Sequence, residues 1–247
     1  MLAAELVARK VAVLTAFGRG TALVSKASTS TIPIVFASGF DSVADGLVTS
    51  LHRPASNATG ISLFTTELGP KRLNLLRELL PLPGTIAFLV DPNNSTTSFQ
   101  LKEIRAAAEQ LGQPLYIAQV TTEDQLVQEF ARMAERNIAA ILYGAGQYFQ
   151  VISNLLIALA ARHRIPALYE WRDFVTAGGL MSYRTERSEF ARQAADYVSR
   201  ILKGDSPGDL PVIQSTRFEL VINLKTAKEL PLTIPPTLLA RADEVIE

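Results

Sequence analysis

Short apolar runs alternate along this chain with stretches in which apolar positions recur every three or four residues. Residues 11–16, 32–37, 59–63, 85–90, 115–120, 138–143 and 166–169 are of the first kind. Several are apolar at nearly every position, the pattern of a parallel strand covered on both faces. Residues 20–28, 43–51, 67–79, 99–111, 123–136 and 149–164 are of the second kind and predict helices. In the third of these, Leu73, Leu76, Leu79 and Leu80 share one face. Such alternation predicts βαβ units, right-handed connections and parallel sheets, so the fold class is α/β.

Local signals agree. Gly112 and Pro114 end one helix. Arg162, His163 and Arg164 crowd the last turn of another, where cations favour the helix dipole. Asn94-Ser95 and Thr121-Thr122 are candidate N-caps. The Pro-rich segment 80–84 is the clearest break in the first half. After Tyr169 the rhythm changes: a short strand around 178–183, a helix over 189–202, a turn-rich connector at 204–211, a strand over 218–223 and a helix over 224–229. A tail that supplies single strands in this way predicts two Rossmann-like lobes crossed more than once. The expected division is 1–82 with 178–206 for the N-terminal lobe, and 83–177 with 207–247 for the C-terminal lobe. The first lobe has fewer strands than a doubly wound lobe needs and reads as incomplete, with Met1 part-way into it.

Composition narrows the function. Lys+Arg number 24 against Asp+Glu 24, a net charge of +0 with no basic run, which argues against nucleic-acid binding. No apolar stretch approaches the roughly 20 residues of a membrane span. Cys is 0, which removes disulfides, thiolate nucleophiles and iron–sulfur clusters. His52 and His163 are far apart and lack zinc-ligand spacing. Residues 1–10 form an amphipathic helical pattern and not a secretion signal, so the chain taken alone reads as cytoplasmic or as beginning inside a longer protein.

The candidate chemistry lies just past the predicted strands, where ligands bind in open α/β sheets. Gly18-Arg19-Gly20 opens a helix but lacks the third glycine and the acidic residue of a dinucleotide site. Its backbone N–H groups suit a carboxylate, or simply make a tight turn. Asp41 suits an ammonium group or caps the segment after it. Asn94 and Ser95 bind a ligand or cap a helix. Gln147 follows residues 138–143. Glu170 and Trp171, the one tryptophan, follow 166–169 and offer a charge beside a stacking face. Neither a nucleophile elbow nor a phosphate loop is present. The pattern favours binding over turnover, with no catalytic residue, metal or cofactor expected.

Several segments carry a family resemblance. They are 29–36 (TSTIPIVF), 41–51, Arg53-Pro54 with 57–60, 70–76 (PKRLNLL), 91–94 (DPNN), 159–166 (LAARHRIP), 177–183 (AGGLMSY), 218–228 (FELVINLKTAK), Ile234-Pro235-Pro236 and 238–247 (LLARADEVIE). Together they make the chain similar to the ABC-transporter substrate-binding proteins that include bacterial tryptophan- and tyrosine-binding members, with the type I periplasmic-binding fold. The resemblance implies two lobes around a ligand cleft, a small polar or aromatic, amino-acid-like solute, a permease of the inner membrane as partner, a periplasmic location and a monomer. It implies ligand contacts at Phe17, Gly18, Asp41, Asn94, Ser95, Gln147, Glu170 and Trp171, with an ammonium group at Asp41 or Glu170. The chain departs from the family pattern at Phe17, at Gly146-Gln147 in place of Asp-Pro, at Ala55-Ser56 in place of Gly-Gly, and at Arg184 where glycine is usual. Two other readings share the fold: the ligand-sensing domain of a regulator, which an upstream helix-turn-helix would reveal, and a small-molecule enzyme.

Overall fold

The computed structural model describes residues 2–63, 68–80 and 82–247. In chain order its elements begin with α1 (Leu2–Ala8), β1 (Leu14–Phe17), α2 (Arg19–Ser28), β2 (Ile34–Ser38), β3 (Ala58–Ser62) and α3 (Gly69–Leu79). Next come β4 (Ile86–Val90), α4 (Thr97–Gln110), β5 (Leu115–Gln119), α5 (Glu123–Glu135) and β6 (Ala140–Tyr143). They are followed by α6 (Gln147–Val151), α7 (Ser153–Arg162), β7 (Ala167–Tyr169), α8 (Arg172–Thr176), β8 (Met181–Thr185) and α9 (Arg187–Leu202). The chain closes with β9 (Ile213–Gln214), β10 (Phe218–Asn223), α10 (Leu224–Glu229), α11 (Pro236–Leu239) and β11 (Glu244–Ile246).

The chain divides into two compact units, Met1–Thr65 with Thr185–Phe218 and Thr66–Arg184 with Glu219–Glu247. Among the described residues the first holds a four-stranded sheet ordered β1-β2-β3-β9. β1 pairs parallel with β2, β2 with β3, and β3 with β9. The fully apolar reading of 32–37 has its reason here, because alternate side chains of β2 enter different cores. Ile34 and Phe36 join Leu14, Ala16, Ala22 and Ala58, whereas Val35 and Ala37 join Ile61, Ala194, Tyr197 and Ile201.

The second unit contains the sheet ordered β11-β10-β8-β7-β6-β4-β5, seven strands among the described residues. β4 lies between β5 and β6, parallel to both. β6 is parallel to β7, and β7 to β8. Ile86, Phe88 and Val90 face α3 and α4 through Leu73, Leu76 and Ile104. Ala87 and Leu89 face α5 and α7 through Leu126, Phe130 and Leu156.

The division differs from the expected one at each crossing. The breaks fall at 65/66, 184/185 and 218/219 and not at 82/83, 177/178 and 206/207. α3 accounts for the first shift: its Leu73, Leu75, Leu76 and Leu79 are buried with Ile86 and Phe88 of β4, which binds the helix to the second unit. β8 accounts for the second, since it joins the second sheet beside β7 before the chain crosses. Pro81 of the Pro-rich break and Glu67, Phe64, Thr65 and Thr66 lie outside the described residues.

Two helix expectations fail for local reasons. Residues 43–51 form turns: Gly46 takes φ +71°, and the N–H groups of Leu47 and Val48 both donate back to the Ser42 carbonyl. A left-handed residue stops right-handed propagation. The stretch 149–164 begins earlier, at Gln147, and breaks at Ile152 into α6 and α7. The short elements α8, β9, α11 and β11 carry no apolar period long enough to announce them. The caps expected at Gly112 and Thr122 do form, with Gly112 at φ +59° and Thr122 accepting from the Gln125 N–H at 3.3 Å.

Gly60 marks the tightest backbone approach. It pairs with Phe36, and a Cβ on it would lie 2.0 Å from the Phe36 carbonyl oxygen. Gly60→Ala is expected to cost about 3 kcal/mol by overpacking two adjacent strands. Urea denaturation followed by far-UV circular dichroism checks this; an unchanged midpoint would show that the strands can part without penalty.

Candidate functional site

Parallel strands place all their carboxyl ends on one edge of a sheet, and loops there are free to carry chemistry. In the first unit the loops after β1 and β2 are neighbours through the pairing of Phe17 with Ala37. Phe17 is 52% exposed and meets Phe190 edge-on at 6.3 Å between ring centres. Gly18 follows it, but its N–H already donates to the Ala37 carbonyl at 2.8 Å. The exposed Asp41 accepts at Oδ1 from the N–H groups of Val43 and Ala44, at 2.9 and 3.1 Å. Its capping role is therefore real, although the segment it caps is a turn. Beside it the sequence reading missed an ion pair. Arg19 grips Asp45 with two hydrogen bonds of 2.8 and 2.7 Å, and its guanidinium lies 5.2 Å from the centre of the Phe40 ring. These contacts tie the loop after β1 to the loop after β2. The Arg19 guanidinium is held above its ordinary pKa, chiefly by the hydrogen bond to Asp45.

In the second unit the order β7-β6-β4-β5 reverses direction at β4. The connections that follow the neighbouring strands β4 and β6 run to opposite sides, through α4 and α7, which makes the gap between β4 and β6 a topological switch point. Asn94 and the backbone of Ala145 meet there. Asn94 Nδ2 donates to the Ala145 carbonyl at 2.8 Å, and its Oδ1 accepts from the Thr96 N–H at 3.0 Å and the Thr96 hydroxyl at 2.9 Å. Buried Gln100 completes the clamp. Its Oε1 accepts from the Ala145 N–H at 2.7 Å, and its Nε2 donates to the Ala145 carbonyl at 2.9 Å. Asn94 thus spends its polar atoms on the fold, whereas Ser95 and Gln147 are exposed. Gln100 gave no signal in the sequence because it sits inside a helical pattern, where Gln is ordinary.

Glu170 and Trp171 follow β7. Glu170 is buried, and its Oε1 lies 2.8 Å from Arg184 Nη1. The Arg184 guanidinium also covers Trp171, 3.0 Å from the ring centre. β7 and β8 explain the meeting: Tyr169 pairs with Ser182, so continuing that register sets Arg184 beside residue 171. A second arginine lies close. Arg72 of α3 is fully buried, and its Nε donates to the Tyr183 carbonyl at 2.8 Å. Burial draws the Arg72 guanidinium below the ordinary arginine value, against the pull of Glu170. The charge and stacking face expected at Glu170 and Trp171 are present, and this chain's own arginine takes both. Arg184 was visible in the sequence only as a departure from glycine.

Behind this cluster Tyr143, Tyr169 and Phe174 form a stack, with centres 5.0 and 4.9 Å apart. On the far side of the first unit, ahead of β3, a surface hollow of about 490 Å³ is lined by Arg53, Ser56 and Asp209 among others. It lies at the amino ends of the strands, away from Phe17 and Asp41. Among the described residues no group of three or more His, Cys, Asp or Glu could hold a metal ion. No helix described is long and apolar enough to cross a membrane.

Comparison with known proteins adds to this geometry. The family model for ABC transporter substrate binding proteins matches residues 1–246. The chain belongs to that family. It is 24% identical over 230 residues to a tyrosine-binding protein of Clostridioides difficile, covering 93% of this chain and 66% of that protein. Among solved structures it is similar to a conserved domain protein of Vibrio cholerae, with TM-score 0.88 and 28% identity over 99% of this chain and 81% of that one. A Streptococcus pneumoniae ABC domain in complex with L-Trp gives TM-score 0.87 and 24% identity, over 99% and 82%. These relatives are substrate-binding proteins or share their fold, which agrees with a binding and non-catalytic architecture. The chain spans just under two thirds of the curated relative's length.

The clamp and the tyrosine stack generate two expectations. Gln100→Leu leaves the Ala145 N–H without its acceptor and should cost about 1–3 kcal/mol, read as a lower urea midpoint. Burial raises the pKa of both Tyr143 and Tyr169. A raised folded value means that stability is complete below the unfolded tyrosine pKa of about 10 and falls as pH rises beyond it. Thermal melts between pH 8 and 11.5 should show this alkaline loss, and Tyr143→Phe should make it shallower.

Proposed function

We propose that the chain is the solute-binding component of an ABC importer, holding a small amino-acid-like solute without transforming it. The observation that carries this reading is the switch point of the second unit. There, loops from the adjacent strands β4, β6 and β7 bring polar and aromatic groups to one edge of a rigid sheet. Sites on this class of sheet form at such a place. The names of two relatives, one tyrosine-binding and one solved with L-Trp, support an aromatic amino acid as the solute.

In this reading Ser95, Gln147 and the Glu170–Trp171 cluster are the ligand contacts of the second unit. Phe17, Gly18 and Asp41 are those of the first. Asn94 acts by holding the loops in register. Glu170 is already paired with Arg184, so Asp41 is the acidic residue left to receive an ammonium group. The hydrogen bonds it accepts at Oδ1 orient its carboxylate for that contact. The partner is an inner-membrane permease and the place of action is outside the cytoplasm, both in keeping with the family.

Titration calorimetry and thermal melts with L-tryptophan, L-tyrosine, their amides and non-aromatic amino acids test the reading. A true solute at about 100 times its Kd should add about 2.7 kcal/mol of stability, and the compound should be recovered unchanged. Absence of a shift across the panel, or chemical conversion of the bound compound, would overturn it.

A further inference from the structure

We infer that Glu244, on the last strand of the chain, is a positioning residue for the loop that carries Trp171; the bearing of that loop on solute affinity rests on the solute-binding reading above. α8 directly follows Trp171 and cannot hold itself. It has five residues, far fewer than an isolated helix needs, and no side chain caps its amino end. Phe174 anchors it from inside by stacking on Tyr169, with centres 4.9 Å apart. Further ties lead to the C-terminal segment. Asn223 Nδ2 donates to the Val175 carbonyl at 3.1 Å, and the Thr226 hydroxyl donates to the Gly178 carbonyl at 2.9 Å. These hold the far end of the helix. The near end is held by Arg172, whose Nε and Nη2 donate to the two carboxylate oxygens of Glu244, each at 2.6 Å.

An exposed ion pair with one long contact contributes little, but a two-pronged arginine–carboxylate contact fixes direction as well as distance. Asp173 and Glu219 also attract the Arg172 guanidinium. Glu244, with its two short hydrogen bonds, decides which way the side chain points. Trp171 has extended backbone, φ −113° and ψ 146°, so its side chain and that of Arg172 leave the chain on roughly opposite sides. Holding the guanidinium on β11 therefore turns the indole the other way, toward Arg184, which lies 3.0 Å from its ring centre. The anchor is itself fixed. Glu244 pairs with Val221 of β10, and the neighbouring Asp243 exchanges two hydrogen bonds with Leu220, at 2.8 and 2.9 Å. In the sheet β10 and β8 separate β11 from β7, so the bond ties the end of β7 to the sheet edge over the two strands between.

Hydrogen–deuterium exchange on the full chain tests the inference. Glu244→Ala and Arg172→Ala should each speed exchange of the amides of residues 172–178 about two- to fivefold, the range a surface pair can supply. Exchange in β4 should not change. The one tryptophan gives a second readout, because its indole N–H resonance should move in both variants. The double variant Arg172→Glu with Glu244→Arg rebuilds the pair in reverse and should recover the parent exchange rate and resonance. Asp205→Ala removes a similarly exposed bond from Arg200 and should alter neither readout, which separates loss of position from general loss of stability. With L-tryptophan as the binding probe, calorimetry should show Kd rising by up to about fivefold in the single variants. A Kd held at the parent value while exchange quickens would overturn the link to the site. Unchanged exchange and an unmoved indole resonance in both single variants, or a double variant no closer to the parent than they are, would overturn the inference itself. Exchange and resonance are read without ligand, so they decide it whether or not L-tryptophan binds; failure of the parent chain to bind counts against the solute-binding reading alone.

Discussion

The hydrogen-bond clamp on Ala145 is the constraint on which the second unit's strand-end loops depend. At a switch point the sheet parts its connections to two sides, and the loop backbone there loses the regular partners a strand provides. Ala145 nevertheless has its N–H and its carbonyl satisfied, by Gln100 and Asn94. Both side chains come from the segment after β4, so the loops on either side of the gap are fixed to one another. Ser95 and Gln147, one on each loop, inherit that rigidity and need no order of their own. A site built in this way loses little conformational entropy when a small molecule arrives.

The Glu170 cluster solves a different problem. A lone buried carboxylate would take up a proton or draw in water. Arg184 removes that cost and also covers Trp171, so the end of β7 is fully satisfied on its acidic side. Behind it, Arg72 Nη2 is buried without a hydrogen-bond partner among the described residues. The partner that satisfies Glu170 thus comes from β8, an element that does not carry the strand-end loop itself.

The sheet was legible from the chain because burial on both faces leaves an unmistakable composition. Runs such as 32–37 and 86–90 contain almost nothing polar, and Phe218–Asn223 and Leu224–Glu229 appear at their expected bounds. Residues 43–51 were not legible, because their apolar spacing fits a helix while one glycine in the left-handed region decides otherwise. The unit boundary was misplaced for a related reason. Proline at 81 and 83 signals a break in the chain, whereas membership of a unit is decided by which sheet the leucines of α3 cover. At the site, residues that follow strands were found by position alone. Gln100 and Arg72 were missed because each lies inside a helical pattern, and Arg19 because its turn was read for backbone N–H groups alone; each has a partner distant in sequence, Ala145, Tyr183 and Asp45.

The single tryptophan has an optical consequence. With one indole in 247 residues, emission excited at the red edge of the aromatic band originates at one address, the end of β7. A guanidinium resting on that ring sets its ground-state environment. Any molecule that moves the arginine changes the colour or yield of the emitted light. The protein therefore carries its own reporter for occupancy of this corner, without a dye or a label.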